Sequence, residues 1–229
     1  MSLAERYNSV LDRIDQAAKA SGRSAKDVEL VVITKMHPVD VPFELYQLGH
    51  RIFGENKDQE AKPKAAALSE LGATEASWHF VGQLQSNKVK SVLSYASCIH
   101  SIDRPSLAKE LVKQLGNLDS KIEGFIELNL TSDPGRGGVA PEDISGLADM
   151  LLESGRVEIL GVMAVAGLGV DPKVDFERAL HASAKLQAIA PGASKLSLGM
   201  SEDFETAIQM GATHVRIGSA ITGPRPITA

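Results

Sequence analysis

The polarity pattern alternates between two periods along nearly the whole chain. Eight short apolar segments have the composition of buried strands, and they fall at residues 31–35, 50–54, 78–82, 98–102, 122–130, 157–165, 195–198 and 213–217. Residues 3–20 have apolar positions at helical spacing, and segments of the same type lie between successive strands. Eight strands alternating with helices and no break in composition predict one α/β domain over residues 1–229, a (β/α)8 barrel of the TIM type.

A doubly wound open sheet is the alternative architecture for such an alternation. That fold carries a G-x-G-x-x-G turn after its first strand, and the chain has no such turn there. The length of 229 residues is slightly below what is typical of a barrel, so we expect few insertions.

Composition narrows the classes of partner and compartment. The formal net charge of -5 argues against nucleic acid and anionic membranes. The single cysteine, Cys98, can form no disulfide framework, which favours a reducing compartment. The first residues lack the features of a signal peptide, and the longest apolar run, at 159–170, is broken by glycines. We therefore expect a cytoplasmic protein without a membrane or nucleic-acid partner.

The first predicted strand ends on a lysine. Residues 31–35 read Val-Val-Ile-Thr-Lys, and Pro38 soon afterwards forces the strand to stop. A lysine with little water around it has a lowered pKa and can attack a carbonyl as a neutral amine, which gives a Schiff base. Taken alone, Lys35 could equally mark the exit of the strand into solvent.

A candidate anion site follows the last two strands. Barrels of this type often bind phosphate with the loops after strands seven and eight. After strand seven a glycine and Ser201 lead into a helix, and after strand eight the chain supplies Arg216, Gly218 and Ser219. Because strand eight closes against strand one, Lys35 should stand beside this site. A lysine next to a phosphate cradle suits pyridoxal 5′-phosphate (PLP) or a phosphorylated sugar.

Five strings of the sequence together carry a family resemblance, at residues 34–35, 53–56, 78–88, 198–201 and 215–218. They resemble the pyridoxal phosphate homeostasis proteins (YggS-like proteins), whose barrel is shared with the N-terminal domain of alanine racemase. The resemblance spans nearly the whole chain, and the string at 78–88 (Trp-His-Phe-Val-Gly-Gln-Leu-Gln-Ser-Asn-Lys) is its most specific part.

The resemblance implies PLP as the cofactor, held as a Schiff base on Lys35. It further implies that Arg216 faces the pyridine nitrogen and that Asn56 lies near the cofactor. The phosphate would be held by Ser201, Gly218 and Ser219. The chain departs from the family pattern where Lys57-Asp58 follows Asn56 and where Arg136-Gly137-Gly138 replaces a Lys-x-Gly pattern, both on the open face of the site.

The expected role is to hold or pass on PLP in intracellular PLP homeostasis. Arg216 cannot give up a proton, so the ring nitrogen would stay unprotonated and the electron sink weak. The family's racemase relatives use a tyrosine base and a further β-domain, whereas Tyr7, Tyr46 and Tyr95 fall on predicted helices and we expect no such domain after Gly218.

Several alternatives remain open. The chain could be an amino acid racemase or another PLP enzyme acting through Lys35, a Schiff-base aldolase for phosphorylated sugars, or a scaffold without any ligand. We expect a monomer, with apo forms of PLP enzymes as the candidate recipients of cofactor.

Histidines and further lysines give weaker signals. His50, His79 and His100 lie near consecutive strands, but their positions predict different levels in the barrel and no metal-ligand spacing joins them, so we predict no metal site. Four lysines read as solvated helix faces, namely Lys62, Lys64, Lys88 and Lys90.

Overall fold

The structure, a computed structural model, describes residues 1–131, 135–167, 169 and 171–224. Its eight strands run parallel and close into a barrel in chain order, as the alternation predicts. They are β1 (Glu29–Ile33), β2 (Ile52–Glu55), β3 (Ser77–Phe80), β4 (Ala96–Ile102), β5 (Ile122–Glu127), β6 (Val157–Met163), β7 (Lys195–Ser197) and β8 (His214–Ile217).

Helices surround the barrel on the outside. They are α1 (Leu3–Ala20), α2 (Asp40–Gln47), α3 (Asp58–Glu70), α4 (Val89–Val92), α5 (Pro105–Leu118), α6 (Ile144–Ser154), α7 (Pro172–Ile189), α8 (Phe204–Gln209) and α9 (Ser219–Thr222). Single turns of 3-10 helix occur at Ala25–Asp27 and Ser86–Lys88. The main apolar core lies between this ring and the outer face of the strands.

Helix α1 closes the outer ring between the last strand and the first. Its start is fixed by a capping box in which Ser2 and Glu5 each accept the other's backbone N–H. Arg6 donates from this helix to the carbonyl of Ile221 at 2.7 Å, and Arg13 pairs with Glu205 at 2.5 Å. These contacts fasten α1 to α8 and α9, next to the loops predicted to bind phosphate.

Close packing inside the barrel explains why β2 carries a glycine. A Cβ atom on Gly54 would lie 2.4 Å from Ile33 Cδ1 and 2.9 Å from Val31 Cγ1. The inward side chains of β1 therefore occupy the volume that any larger residue on β2 would need.

Several predicted strands continue further along the chain than the real ones do. β1 ends at Ile33 and β5 at Glu127, because the following backbone turns to other partners: His37 donates to the Thr34 carbonyl, and Leu128 forms an isolated bridge with Val139. The short helix α9 was not predicted, because four residues give too little periodicity to read.

In the described part of the chain, no helix combines the length and apolar character needed to cross a membrane.

Candidate functional site

A cavity of about 440 Å³ opens at the carboxyl ends of the strands and brings together most of the predicted site residues. Those that line it are Lys35, Ser201, Arg216, Gly218 and Ser219. The wall is completed by residues after β6, including Gly167 and Pro172, and by His37. Asn56 is not part of the lining.

A turn places Lys35 two residues beyond the end of β1. Thr34 still donates its N–H to the Gly54 carbonyl at 3.1 Å, and His37 then donates back to the Thr34 carbonyl at 3.1 Å. Between them Met36 has a φ of 64°, a left-handed conformation that is uncommon for a residue with a side chain. Its N–H donates to the Glu60 carboxylate. The lysine is thus presented by a tight, hydrogen-bonded turn rather than by the strand itself.

Lys64 is a buried structural cation, and its prediction as a solvated lysine was wrong. Its Nζ donates to the Thr34 carbonyl at 2.9 Å, to Glu55 Oε1 at 2.6 Å and to Glu60 Oε1 at 2.7 Å. Thr34 Oγ1 donates to the same Glu55 oxygen at 2.7 Å. The side chain is buried because α3 turns this position toward β2, which periodicity alone could not distinguish from its exposed neighbours. The network supports the backbone immediately before Lys35.

Asn56 has a packing role at the end of β2. A Cβ on Gly82 would lie 2.3 Å from the Asn56 carbonyl oxygen and 2.7 Å from its Cα, so only glycine fits beside it. This contact accounts for one position of the specific string at 78–88. The loop after β3 is thereby pressed onto the residue that follows β2.

The anion end of the cavity is built from two neighbouring loops. Ser219 Oγ lies 3.4 Å from Ser201 Oγ, and the Ala220 N–H donates to that same Ser201 oxygen at 3.4 Å. Gly218 is close to β1, since a Cβ there would lie 3.4 Å from Ile33 Cβ. The prediction that the loops after β7 and β8 meet beside the first strand is confirmed.

Arg216 lies on the floor of the cavity with 5% of its surface exposed. Its Nη1 donates to the Ser197 carbonyl at 2.6 Å and to Ser197 Oγ at 2.5 Å, while Nη2 donates to the Ala164 carbonyl at 2.9 Å. Burial lowers the pKa of the guanidinium to about 10, and the negative charges of Glu127 and Asp203 act in the opposite direction. The group therefore remains a cation at neutral pH.

Below Arg216 the barrel interior is polar. His100 lies 2.9 Å from His79, from Nε2 to Nδ1, and 2.8 Å from Ser197 Oγ. The three histidines do not all share one level of the barrel, but His79 and His100 meet, because the strands are staggered and β3 shifts register against β4 beside His79. His50 lies elsewhere, against Tyr7.

One group of side chains in the described residues has ligand atoms close enough together for a metal, and sequence spacing did not reveal it. Suitable atoms of His79, Cys98 and His100 lie within 4.8 Å of one another. The facing nitrogens of the two histidines are already hydrogen-bonded to each other, and burial raises the pKa of the Cys98 thiol well above its ordinary value. The group is thus accounted for as a hydrogen-bonded interior.

The loop with Arg136-Gly137-Gly138 is anchored on the end of β5. Gly138 has a φ of 112°, and a Cβ there would lie 2.3 Å from the Asn129 nitrogen. Arg136 donates to the Ala166 carbonyl at 3.4 Å, at the edge of the cavity. This departure from the family pattern therefore places a guanidinium beside the site.

Two titratable groups near the cavity were missed by the sequence reasoning. His37 lines the cavity, and burial lowers the pKa of its imidazole. Glu127 lies at the end of β5, where burial first and then Asp103 raise the pKa of its carboxyl to about 7. The segment at 36–38 was read only as a strand breaker, and nothing in the pattern around Glu127 predicted its burial.

The three tyrosines do not line this cavity. Tyr7 and Tyr46 lie on helices as predicted, but Tyr95 lies in the turn before β4. Burial raises the pKa of the Tyr95 hydroxyl, with further contributions from Asp58 and Glu55.

Comparison with known proteins agrees with the fold and shows the family. Residues 10–226 match the family model of the alanine racemase N-terminal domain. The pyridoxal phosphate homeostasis protein of Aquifex aeolicus is 37% identical over 229 residues, which cover 98% of this chain and 99% of that protein.

Solved structures of related proteins have the same fold. PipY of Synechococcus elongatus PCC7942, with PLP bound, superposes with a TM-score of 0.84 at 32% identity over 97% of this chain and 100% of PipY. Alanine racemase of Corynebacterium glutamicum shares the fold, with a TM-score of 0.67 at 18% identity over 96% of this chain and 62% of the racemase. The chain therefore belongs to the alanine racemase N-terminal domain family and, within it, to the pyridoxal phosphate homeostasis proteins.

Proposed function

We propose that this protein binds PLP covalently through Lys35 and serves intracellular PLP homeostasis by holding or passing on the cofactor. The observation that carries the proposal is the convergence of one lysine, one buried arginine and two serine-bearing loops on a single cavity. PipY, whose structure contains PLP, covers almost the whole chain.

The residues present fit the chemical groups of PLP. A phosphate needs hydroxyl and N–H donors at close quarters, which Ser201, Ser219 and the backbone of Gly218 can supply. A pyridine nitrogen needs a donor, and Arg216 is held on the cavity floor with two of its five N–H groups not used by the barrel wall. Lys35 lines the same cavity and is half-buried.

The chain's own contribution to attachment is the placement of an amine. Lys35 would supply the amine that holds the cofactor, and PLP, when bound, would supply the aldehyde with which a neutral amine condenses. The turn held by Lys64 and Glu60 fixes the direction from which the lysine enters the cavity. His37, neutral at pH 7 because its pKa is lowered, lines the same wall and can accept the proton that Lys35 must lose.

We favour carriage over turnover because of Arg216. Amino acid racemisation on PLP needs an electron sink and acid/base groups on both faces of the substrate carbon. A guanidinium at the ring nitrogen is a donor only, so it does not strengthen that sink. His37, which lines the cavity, and Glu127, whose charge acts on Arg216, are the titratable groups that a racemase or another PLP enzyme would use here, and they make turnover the second candidate function.

The first experiment is a visible absorption spectrum of the protein incubated with PLP, before and after borohydride. We expect a yellow band that borohydride bleaches in the wild type, and its loss in Lys35→Ala. Lys62→Ala, on the exposed face of α3, is the matched control and should keep the band. A wild type that stays colourless with PLP would refute the proposal and favour the sugar-phosphate aldolase.

Turnover is measured separately. Solvent-deuterium exchange at the α-carbon of a panel of amino acids should stay at the background of the Lys35→Ala variant. Exchange that depends on Lys35 and is lost in His37→Gln or Glu127→Gln would identify an enzyme instead. Monomeric state, cytoplasmic location and transfer to apo PLP enzymes stay predictions.

A further inference from the structure

Four buried polar side chains cross the inside of the barrel in one line. Arg216 on β8 donates to Ser197 on β7, Ser197 Oγ lies 2.8 Å from His100 Nδ1 on β4, and His100 Nε2 lies 2.9 Å from His79 Nδ1 on β3. Ser197 and His100 have none of their surface exposed, and His79 and Arg216 have 5% each. We call these four residues the interior chain.

The direction in which the hydrogen bonds of the interior chain are donated follows from Arg216. A guanidinium has donors only, so Ser197 Oγ must accept from Arg216. In the described structure the hydroxyl has one other partner, His100 Nδ1. If His100 donated there, the buried hydroxyl proton would have no acceptor, which carries a desolvation penalty of about 1–3 kcal/mol. Ser197 therefore donates and His100 Nδ1 accepts.

The same argument assigns the protonated nitrogen of His100 and then that of His79. A neutral His100 that accepts at Nδ1 carries its proton on Nε2, which then donates to His79 Nδ1. His79 in turn carries its proton on Nε2. Burial lowers the pKa of both imidazoles, that of His79 to about 4, so both are neutral at physiological pH.

We propose that Ser197, His100 and His79 are positioning residues that hold Arg216 toward the cavity by a hydrogen-bond chain of fixed direction. The proposal rests on the proposed function, since the group that Arg216 would face is the pyridine nitrogen of PLP. Each hydrogen bond of the interior chain is donated in the direction away from the cavity. The histidines therefore act as acceptors beneath Arg216, and they bring no second positive charge or proton to it.

Another histidine in the barrel interior provides the matched control. His214 is also buried and packs its ring against Phe125, but it bonds to Thr213 and Glu29 and not to Arg216 or Ser197. Its ring also packs edge-on against His100, with ring centroids 6.1 Å apart, so replacing it disturbs the packing around the interior chain without removing any of its hydrogen bonds.

The first test needs no cofactor. Long-range ¹H–¹⁵N correlation spectra of the ¹⁵N-labelled full chain report which nitrogen of each histidine carries the proton. We expect His79 and His100 as neutral Nε2–H tautomers, assigned by His79→Gln and His100→Gln. A proton on His100 Nδ1, as the other tautomer or as imidazolium, would overturn the proposed direction.

The second test measures the effect on the site. In Ser197→Ala we expect PLP affinity to fall about tenfold, the equivalent of one hydrogen bond to a charged group, together with a shift of the absorption maximum of bound PLP. Ser197→Thr keeps the hydroxyl and should restore both, and His214→Asn should stay within about twofold of wild type. Equal losses in Ser197→Ala and His214→Asn, or no loss in Ser197→Ala, would overturn the positioning role.

The two proposals fail in different ways. If the wild type takes up no PLP, the proposed function fails while the tautomers still decide the direction of the interior chain. Thermal unfolding of each variant shows whether it is folded, and Ser197→Ala, a loss of one oxygen atom, remains informative if the histidine variants do not fold.

Discussion

Two lysines at the same end of the barrel, Lys35 and Lys64, have opposite surroundings. Lys64 is enclosed by two carboxylates and a carbonyl, all within 2.9 Å of its nitrogen, and 7% of its surface is exposed. Lys35 is half-buried and forms part of the wall of a cavity that Ser201, Gly218 and Ser219 also line.

This difference gives Lys64 a structural role and leaves Lys35 as the lysine available to the proposed PLP site. The Lys64 nitrogen is enclosed by three acceptors, which leaves no room for a carbonyl carbon to approach it. The same network holds the Thr34 carbonyl and, through Glu60, the Met36 N–H, which flank Lys35 on both sides. Lys64 therefore supports the turn that presents Lys35 to the cavity.

The largest expected effect is the complete presence or absence of a PLP adduct on each of the two lysines. After incubation with PLP and borohydride reduction, peptide mass spectrometry should find the adduct on Lys35 and none on Lys64, because only Lys35 reaches the cavity. Lys35→Arg keeps the charge and should remove the adduct completely. An adduct on Lys64 would contradict the separation of roles.

The next effect is on stability. Lys64→Met leaves the Glu55 carboxylate, 1% exposed, without its cation, and should lower the free energy of unfolding by about 3–5 kcal/mol. Urea titration measures it. Lys62→Met on the exposed face of the same helix should change it by less than about 0.5 kcal/mol. The double variant with Glu55→Gln should recover part of the loss, and equal effects at Lys62 and Lys64 would refute the argument.

Part of the acid sensitivity should come from the barrel interior. Burial lowers the pKa of His79 to about 4, so between pH 6.5 and 4 the unfolded chain binds a proton that the folded chain does not. The contribution of His79 to the free energy of unfolding is fully present above pH 6.5. It falls as the pH drops toward 4, by up to about 3 kcal/mol. Urea titrations across this range should give a shallower pH slope for His79→Gln, while His181→Gln, at an exposed position, keeps the wild-type slope. Unchanged slopes in both variants would show that His79 does not contribute.

The smallest expected effect is at the anion end. Ser219→Ala removes one hydroxyl donor and should weaken PLP binding about fivefold, the equivalent of about 1 kcal/mol. Folding should be unchanged. Titration followed by absorbance measures it, with Ser69→Ala on the exposed face of α3 as the control. Equal affinity of Ser219→Ala and wild type would exclude this hydroxyl from the cradle.

Sequence patterns were sufficient for the order of the strands and for the cluster at the cavity. Alternating periods predicted eight strands and their connection, and barrel closure then brought residues after β1, β7 and β8 together. These inferences depend on local periodicity and on a topology that leaves few options. Lys35, Ser201, Arg216, Gly218 and Ser219 were found in this way.

The tertiary structure alone decided which side of an element each polar residue faces. Lys64 and Lys62 have the same residue type on one helix, and only the packing of α3 on β2 makes one buried and the other exposed. His79 and His100 meet because of strand stagger and a register shift, which no local pattern encodes. The sequence by itself determined the barrel and the end where its chemistry collects, because periodicity is local. Hydrogen-bond partners inside the barrel depend on register between strands distant in sequence, so only the folded structure could fix them.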